Sequence, residues 1–311
     1  RVETAVQPEH LDDLLKLRLL FVTGKGGIGK TMVTAGLGQY AASKGLRVLL
    51  VESGTRDQLA PLFGIDRVGH NETQVAPGLS CINLNSWENF REYVTKYLKQ
   101  KMLYDKVFSH KVVQSFLRTV PGLAEVMMLG RLFYTCELAP EPRYDLVIFD
   151  GYASGHFLSL MTTPDAVLAA GLGGPLVNET QNVKAFLRNR EKCGTVFVAV
   201  PEDLVVSESL DFIPQLVERS PSVMRAVLLN RLVQVANPVV PGAAATSDYM
   251  AGKAKTHQRA LNRFVEGLKD LKSRYDLNLP LLTLPEQGFV TEPMVPQFGA
   301  SWLAQSRQVE V

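Results

Sequence analysis

Cysteine is scarce in this chain of 311 residues, which contains only Cys81, Cys136 and Cys193. The three cysteines lie far apart and form no Cys-x-x-Cys pair, which argues against both a disulfide framework and a zinc ribbon. Such sparse, odd-numbered usage is typical of a reducing compartment. We therefore predict a cytoplasmic location.

Excess charge of one sign and long apolar runs are also lacking. The 33 Lys and Arg residues are nearly balanced by 31 Asp and Glu residues, so the charge gives no reason to expect a nucleic acid or a membrane surface as partner. No apolar run approaches the roughly 18 uninterrupted residues of a transmembrane helix. The first residues, RVETAVQPEHLDDLLKL, include acids, so we predict neither a signal peptide nor a transmembrane segment.

Hydrophobic residues are plentiful, at 46% of the chain, and they recur in short runs. Segments with helical spacing separate several of these runs, an alternation that predicts a mostly parallel sheet covered by helices on both faces. The predicted strands are Leu17–Val22, Arg47–Val51, Leu146–Phe149, Thr195–Val200, Met224–Leu229 and Leu279–Leu284, with a shorter one at Cys81–Leu84.

A long interval between the second and third of these main strands interrupts the alternation. Residues 86–138 have helical spacing almost throughout, broken at Pro121-Gly122. We interpret residues 86–138 as a helical subdomain inserted into an α/β core. The prediction is one domain over residues 1–311 that contains this insertion.

Residues 24–31 carry the strongest functional signal. They fit the pattern G-x-x-x-x-G-K-[ST], directly after an apolar strand and directly before a helical pattern, which is the context of a phosphate-binding loop. Gly26, Gly27 and Gly29 allow backbone amides to turn toward phosphate oxygens, and the N-terminus of the following helix adds partial positive charge. The predicted fold is therefore an α/β P-loop nucleoside triphosphatase.

Three side chains complete this predicted site. Lys30 is expected to reach the β- and γ-phosphates of ATP, and Thr31 to ligate Mg²⁺. Asp150 ends an apolar strand and is followed by a glycine, so it is placed to hold the same ion through water. The sequence thus predicts ATP and Mg²⁺ as ligands.

A second lysine, Lys25, makes residues 25–31 a deviant form of this loop, similar to that of the nucleotide-switch ATPases. Later segments narrow the resemblance. Residues 144–156 resemble D-x-P-A-T-G-H, residues 121–125 resemble P-G-x-x-E, and residues 201–208 resemble P-E-x-x-x-v-x-E. Together they resemble the arsenite-pump and tail-anchored-protein-targeting ATPase family, over residues 17 to 285.

The resemblance implies roles for further residues. Family members work as dimers that enclose two ATP molecules, so Lys25 is expected to act on the nucleotide of the partner subunit, in a homodimer or a heterodimer. Asn230 stands where the family places an asparagine that reads adenine. Pro285, at the end of a predicted turn over residues 282–285, would lie against the other side of the base.

The chain departs from the family after the second strand. The family has D-P-A-H there, and its aspartate positions the attacking water. Ungapped alignment of residues 51–64 puts Gly54 at the aspartate and Asp57 at the histidine. Glycine cannot orient water. Asp57 is our candidate for that task, and Glu52 is an alternative.

Missing residues argue against several ligands of related ATPases. The zinc-clamped dimer needs a Cys-x-x-Cys pair, and the shared iron–sulfur cluster of the nitrogenase iron protein needs two cysteines per chain in a context that this chain lacks. Arsenite requires thiolates, and residues 157–175 contain none. The basic residues between 253 and 274 alternate with acids, which favours a solvated helix face over a nucleic-acid surface.

The inserted subdomain has two interpretations that the sequence leaves open. It could line an apolar groove for a protein or hydrophobic-helix cargo, or it could form an ordinary helical core. The residues available for either are Met102, Phe116, Leu117, Met127, Met128 and Phe133.

Two functional hypotheses follow. The first is a dimeric Mg·ATP-dependent ATPase that couples ATP binding and hydrolysis to movement of the helical subdomain. The second, suggested by Gly54, is a nucleotide-gated subunit that has lost hydrolysis and pairs with an active paralogue.

Overall fold

The computed structural model describes residues 9–84, 122–139, 143–170, 175–233, 244–286 and 295–311. Within these ranges one sheet has the strand order β3-β4-β2-β5-β1-β6-β7-β8-β9. The strands are β1 Leu19–Gly24, β2 Val48–Glu52, β3 Thr73–Ala76, β4 Leu79–Asn83, β5 Leu146–Ala153, β6 Cys193–Ala199, β7 Met224–Leu232, β8 Leu281–Pro285 and β9 Arg307–Val309.

The helices connect these strands. They are α1 Glu9–Leu15, α2 Lys30–Ser43, α3 Leu59–Phe63, α4 Leu123–Phe133, α5 Ser154–Ala169, α6 Pro175–Arg188, α7 Asp203–Arg219, α8 Ala244–Tyr275 and α9 Val295–Leu303. One π-helical turn, Tyr134–Leu138, continues α4. No helix within the described ranges is both long enough and apolar enough to cross a membrane.

The sheet is mostly parallel, as predicted. The seven strands from β4 to β8 in the sheet order are parallel to their neighbours, and only the outer strands β3 and β9 are antiparallel. Every residue of β1, β2 and β6 is buried, as expected for strands covered on both faces. Phe21 of β1 packs edge-on against Phe149 of β5 and Phe157 of α5.

The chain order places a topological switch point at β1. From β1 the chain passes to β2 on one side, returns to β5 between them, and then continues to β6 on the other side of β1. In open α/β sheets, ligands bind beyond the carboxyl ends of the strands at such a point. The ends of β1, β2 and β5 are therefore where a site is expected.

Only part of the predicted insertion lies within the described residues, since residues 85–121 fall outside them. The remaining part is helical, and α4 packs against α5 and α6. Met127, Met128 and Phe133 are buried, and the Phe133 ring lies 5.3 Å from that of Phe186 in α6. Met128 and Phe133 belong to the main hydrophobic core of the described residues. Met102, Phe116 and Leu117 lie outside the described residues.

Candidate functional site

A glycine-rich loop joins the buried strand β1 to α2. Gly27 and Gly29 have φ values of 80° and 87°, a region that side chains other than glycine rarely adopt. A Cβ atom on Gly29 would lie 2.7 Å from Nδ2 of Asn230. Glycine at position 29 is therefore required both by the backbone conformation and by this close approach.

The first residue of α2, Lys30, turns back over the loop. Its ammonium group donates a hydrogen bond to the carbonyl oxygen of Lys25 at 2.9 Å. Burial lowers the pKa of Lys30, and the nearby carboxylate of Asp150 partly offsets this effect. A half-buried cation thus stands at the N-terminus of a helix, an arrangement that attracts phosphate.

Asp150, in β5, anchors the other side of the loop. Its Oδ2 accepts a hydrogen bond of 2.7 Å from the Thr31 hydroxyl, and its Oδ1 accepts one of 3.2 Å from Thr34. Burial raises the pKa of Asp150, against the two hydroxyl donors and Lys30, which favour the carboxylate. The hydroxyl and the carboxylate predicted to hold Mg²⁺ are therefore in direct contact. Hard oxygen ligands of this kind suit Mg²⁺.

These groups surround a cavity of about 400 Å³ at the carboxyl ends of β1, β2 and β5. Gly26 and Gly27 are exposed in the loop beside it. The lining residues are Gly27, Gly29, Lys30, Thr31, Glu52, Ser53, Arg56, Gln58, Asp150, Gly151, Tyr152, Ala153 and Arg231.

The structure places Asn230 under the loop, with its amide already engaged. Nδ2 donates to the carbonyl oxygen of Ile28 at 2.9 Å, and Oδ1 accepts from the backbone N–H of Arg231 at 2.9 Å. An amide has a second N–H and a second lone pair, so these bonds leave capacity for a base. Pro285 is the last residue of β8 rather than part of a turn. Its carbonyl oxygen accepts a hydrogen bond from the Trp302 indole at 3.1 Å.

Lys25 forms an ion pair with Glu208 of α7 in the same chain. The two side chains are 41% and 47% exposed, so the pair is open to solvent. Exposed pairs of this kind contribute little to stability, and Lys25 can exchange partners at low cost.

The Asp57 carboxylate contacts Asn83 and Arg67, which do not line the cavity. Its Oδ1 accepts a hydrogen bond of 2.6 Å from the Asn83 amide, and Oδ2 lies 3.9 Å from Nε of Arg67. Gly54 donates its backbone N–H to the same Asn83 side chain at 3.3 Å. Asp57 is not among the described residues that line the cavity, whereas its neighbours Arg56 and Gln58 are.

Glu52 is the acidic side chain of this segment that does line the cavity. It is 4% exposed, and its Oε2 accepts hydrogen bonds from the backbone N–H groups of Gln58 at 2.8 Å and Leu59 at 3.1 Å. Burial raises the pKa of Glu52 to about 7, against these two donors, which favour the carboxylate. The sequence signal for Glu52 is the same as that for Asp150, namely an acidic residue at the end of a buried strand.

Arg231 is a cavity residue that the sequence reasoning missed. Its backbone φ is 59°, an uncommon value for a residue other than glycine. Its Nη2 would lie 3.6 Å from a Cβ atom on Gly29, so the guanidinium group is close to the loop. The position of Arg231 next to Asn230 in the sequence was the one signal that could have identified it. Its direction toward the cavity depends on the positive φ, which the sequence does not reveal.

Comparison with known proteins finds relatives that are named as ATPases. ATPase BagA of Mycobacterium tuberculosis is 26% identical over 223 residues, which are 69% of this chain and 65% of that protein. ATPase ASNA1 homolog 1 of Paramecium tetraurelia is 29% identical over 160 residues, 50% of this chain and 46% of that protein. The arsenical pump-driving ATPase of Acidiphilium multivorum is 25% identical over 272 residues, 81% and 45% of the two chains.

The chain thus spans between about half and two thirds of the length of these relatives. A sequence model described as "Anion-transporting ATPase" matches residues 17–173, just over half of the chain. The matched range contains the glycine-rich loop, the segment after β2 and Asp150. The chain belongs to the anion-transporting ATPase family.

Proposed function

We propose that this chain binds Mg·ATP and hydrolyses it to ADP and phosphate. One observation carries the proposal: the 2.7 Å hydrogen bond between Thr31 and Asp150, in the same cavity as the half-buried ammonium of Lys30. A phosphate-binding cation, a hydroxyl ligand and a carboxylate converge at the topological switch point of the sheet.

Each group has a distinct task in this proposal. The loop amides and Lys30 bind the β- and γ-phosphates, and Asn230 and Pro285 flank the base. Thr31 would ligate Mg²⁺ and Asp150 would hold the ion through water, and the ion would supply positive charge beside the phosphates. No side chain forms a covalent intermediate, because water attacks in line.

We further propose that two chains, identical or paralogous, enclose the nucleotides, with Lys25 exchanging Glu208 for the partner's phosphates. The support is the exposure of this ion pair at the rim of the loop.

We also propose that the helical subdomain moves and engages a protein or hydrophobic cargo in the cytoplasm. One side chain, Tyr152, connects the cavity to α4 of this subdomain. The Tyr152 hydroxyl lies 2.9 Å from Oγ of Ser53, beside the cavity, and 3.8 Å from Sδ of Met128 in α4. Tyr152 itself follows Asp150 by two residues in β5. A change at the metal site would therefore reach α4 through a single side chain.

A specific observation also favours the second hypothesis, a gated subunit without hydrolysis. Ungapped alignment puts Gly54 at the family's water-positioning aspartate, and Asp57 accepts a hydrogen bond from Asn83 and is not among the described residues that line the cavity. A chain of this kind would still bind ATP and could supply Lys25 to an active paralogue.

Steady-state ATP turnover, measured at increasing protein concentration, separates these possibilities. Lys30→Ala and Lys25→Ala should abolish turnover, and the rate per chain should rise with concentration as dimers form. Lys44→Ala is the matched control, because Lys44 is 47% exposed at the end of α2 and belongs to no part of the site. ATP binding without turnover would support the gated subunit, and absence of ATP binding would contradict both hypotheses.

A further inference from the structure

Polar residues form a row across three neighbouring strands at the cavity. Glu52 of β2 pairs with Asn83 of β4, and Val51 pairs with Phe149 of β5, so the next residue of β5, Asp150, lies beside Glu52. In-register residues of parallel strands project from the same face of the sheet. Both carboxyl groups accordingly line the same cavity.

The two oxygens of Glu52 have different surroundings. Oε2 is held by the N–H groups of Gln58 and Leu59, whereas Oε1 is buried and has no hydrogen-bond partner among the residues that the structure describes. A buried carboxylate oxygen without a partner is costly, and such exceptions call for an explanation. The two N–H groups hold Oε2 in place, and the cavity that Glu52 lines is the space from which a ligand can approach this side chain.

The neighbouring Asp150 restricts what that ligand can be. Glu52 is buried and Asp150 is half-buried, and two such carboxyl groups side by side repel each other when both are ionised. A cation between them removes the repulsion. Mg²⁺ is usually held by one or two carboxylates together with substrate phosphates, and it keeps several of its waters. A metal-bound water supplies the hydrogen-bond donor that Oε1 lacks.

We propose that Glu52 is the second carboxylate of the Mg²⁺ site, with Oε1 accepting a hydrogen bond from a water of the ion's hydration shell. This role rests on the proposed function, because it assumes that Mg·ATP occupies the cavity. It also ties the metal to the segment that replaces the family's water-positioning motif. Glu52 binds the N–H of Gln58, and the Gln58 side-chain oxygen lies 3.2 Å from the Thr31 hydroxyl.

Glu52→Gln is the sharpest test, since the amide oxygen can keep both backbone hydrogen bonds while an NH₂ group replaces the free oxygen. The measurement is binding of the non-hydrolysable ATP analogue AMP-PNP by calorimetry, in EDTA and across a series of Mg²⁺ concentrations. We expect the half-saturating Mg²⁺ concentration to rise about tenfold or more. AMP-PNP affinity in EDTA should be unchanged or higher.

Two other variants control the experiment. Glu72→Gln, whose carboxylate accepts a hydrogen bond from Tyr144 outside the cavity, should match the wild type. Glu52→Asp keeps the charge on a shorter side chain and should need an intermediate Mg²⁺ concentration, which also provides a readout if the Gln variant does not fold.

The outcomes are separable. An unchanged Mg²⁺ requirement in Glu52→Gln would overturn the metal role, and if turnover is nevertheless lost, Glu52 acts on the attacking water instead. Failure of the wild-type chain to bind AMP-PNP in either buffer would overturn the proposed function together with this role.

Discussion

Replacement of Asn230 by alanine should lower both the stability of the protein and its affinity for nucleotide. Asn230, in β7, is 3% exposed and joins this strand to the phosphate-binding loop through the Ile28 carbonyl, while its Oδ1 accepts from the N–H of its neighbour Arg231. Alanine removes both hydrogen bonds, and with them the side-chain partners of two backbone groups. One of them, the Ile28 carbonyl, belongs to the loop that is proposed to bind phosphate.

The expected magnitude follows from these two bonds. An unsatisfied buried group costs about 1–3 kcal/mol, and the adjoining cavity admits water that lessens the cost, so we expect a loss of about 2–3 kcal/mol. With an unfolding entropy of about 2.1 cal/mol/K per residue, this corresponds to a fall in Tm of about 3–5 °C for a chain of this length.

Differential scanning calorimetry of the ligand-free proteins gives the shift, and titration with Mg·ADP gives the change in affinity. Asn262→Ala is the matched control, because Asn262 is exposed on α8 and bonded to Gln258 of the same helix. A Tm for Asn230→Ala within 1 °C of this control would refute the reasoning that the amide holds the loop.

Three further outcomes are expected. In EDTA the free energy of unfolding should fall by about 1–2 kcal/mol, after allowance for solvent screening, as pH rises from about 4.5 through 7. The reason is that the raised pKa of Glu52, about 7, makes the folded state bind the proton more tightly. Urea denaturation at several pH values tests this, and an equal slope in Glu52→Gln would contradict it. Arg231→Gly should relieve the strain of the positive φ and so stabilise the chain by about 1 kcal/mol, while it weakens ADP binding. A lower Tm for this variant would contradict the claim that the backbone is strained at position 231. Gly38→Val should cost about 1–3 kcal/mol, because a Cβ atom at this position of α2 would lie 2.6 Å from Cδ2 of Leu50, and an unchanged urea midpoint would disprove that contact.

Most of the sheet was predictable because its parallel strands are buried on both faces. Apolar runs such as those of β1 and β6 leave a signal that depends only on local sequence. The outer strands β3 and β9 were missed. They contain four and three residues, are partly exposed, and exist through pairing with a neighbour rather than through a run of their own.

The candidate site also contains residues that were predictable from local sequence and residues that were not. The loop residues and Asp150 were predicted from motifs in which spacing along the chain fixes the chemistry. The direction of a side chain outside such motifs depends on distant partners. Asp57 is held by Asn83, 26 residues later, and Lys25 by Glu208 of α7, a contact with no counterpart in local sequence. Alignment places such residues in a segment but does not orient them.

Equilibrium binding of ATP to the purified chain tests the central claim most directly. Calorimetric titration in Mg²⁺ should give saturable binding of about one ATP per chain, weakened strongly by EDTA and lost in Lys30→Ala but not in Lys44→Ala. Absence of saturable binding by the wild-type chain, or equal binding by Lys30→Ala, would contradict the assignment of this cavity as an Mg·ATP site.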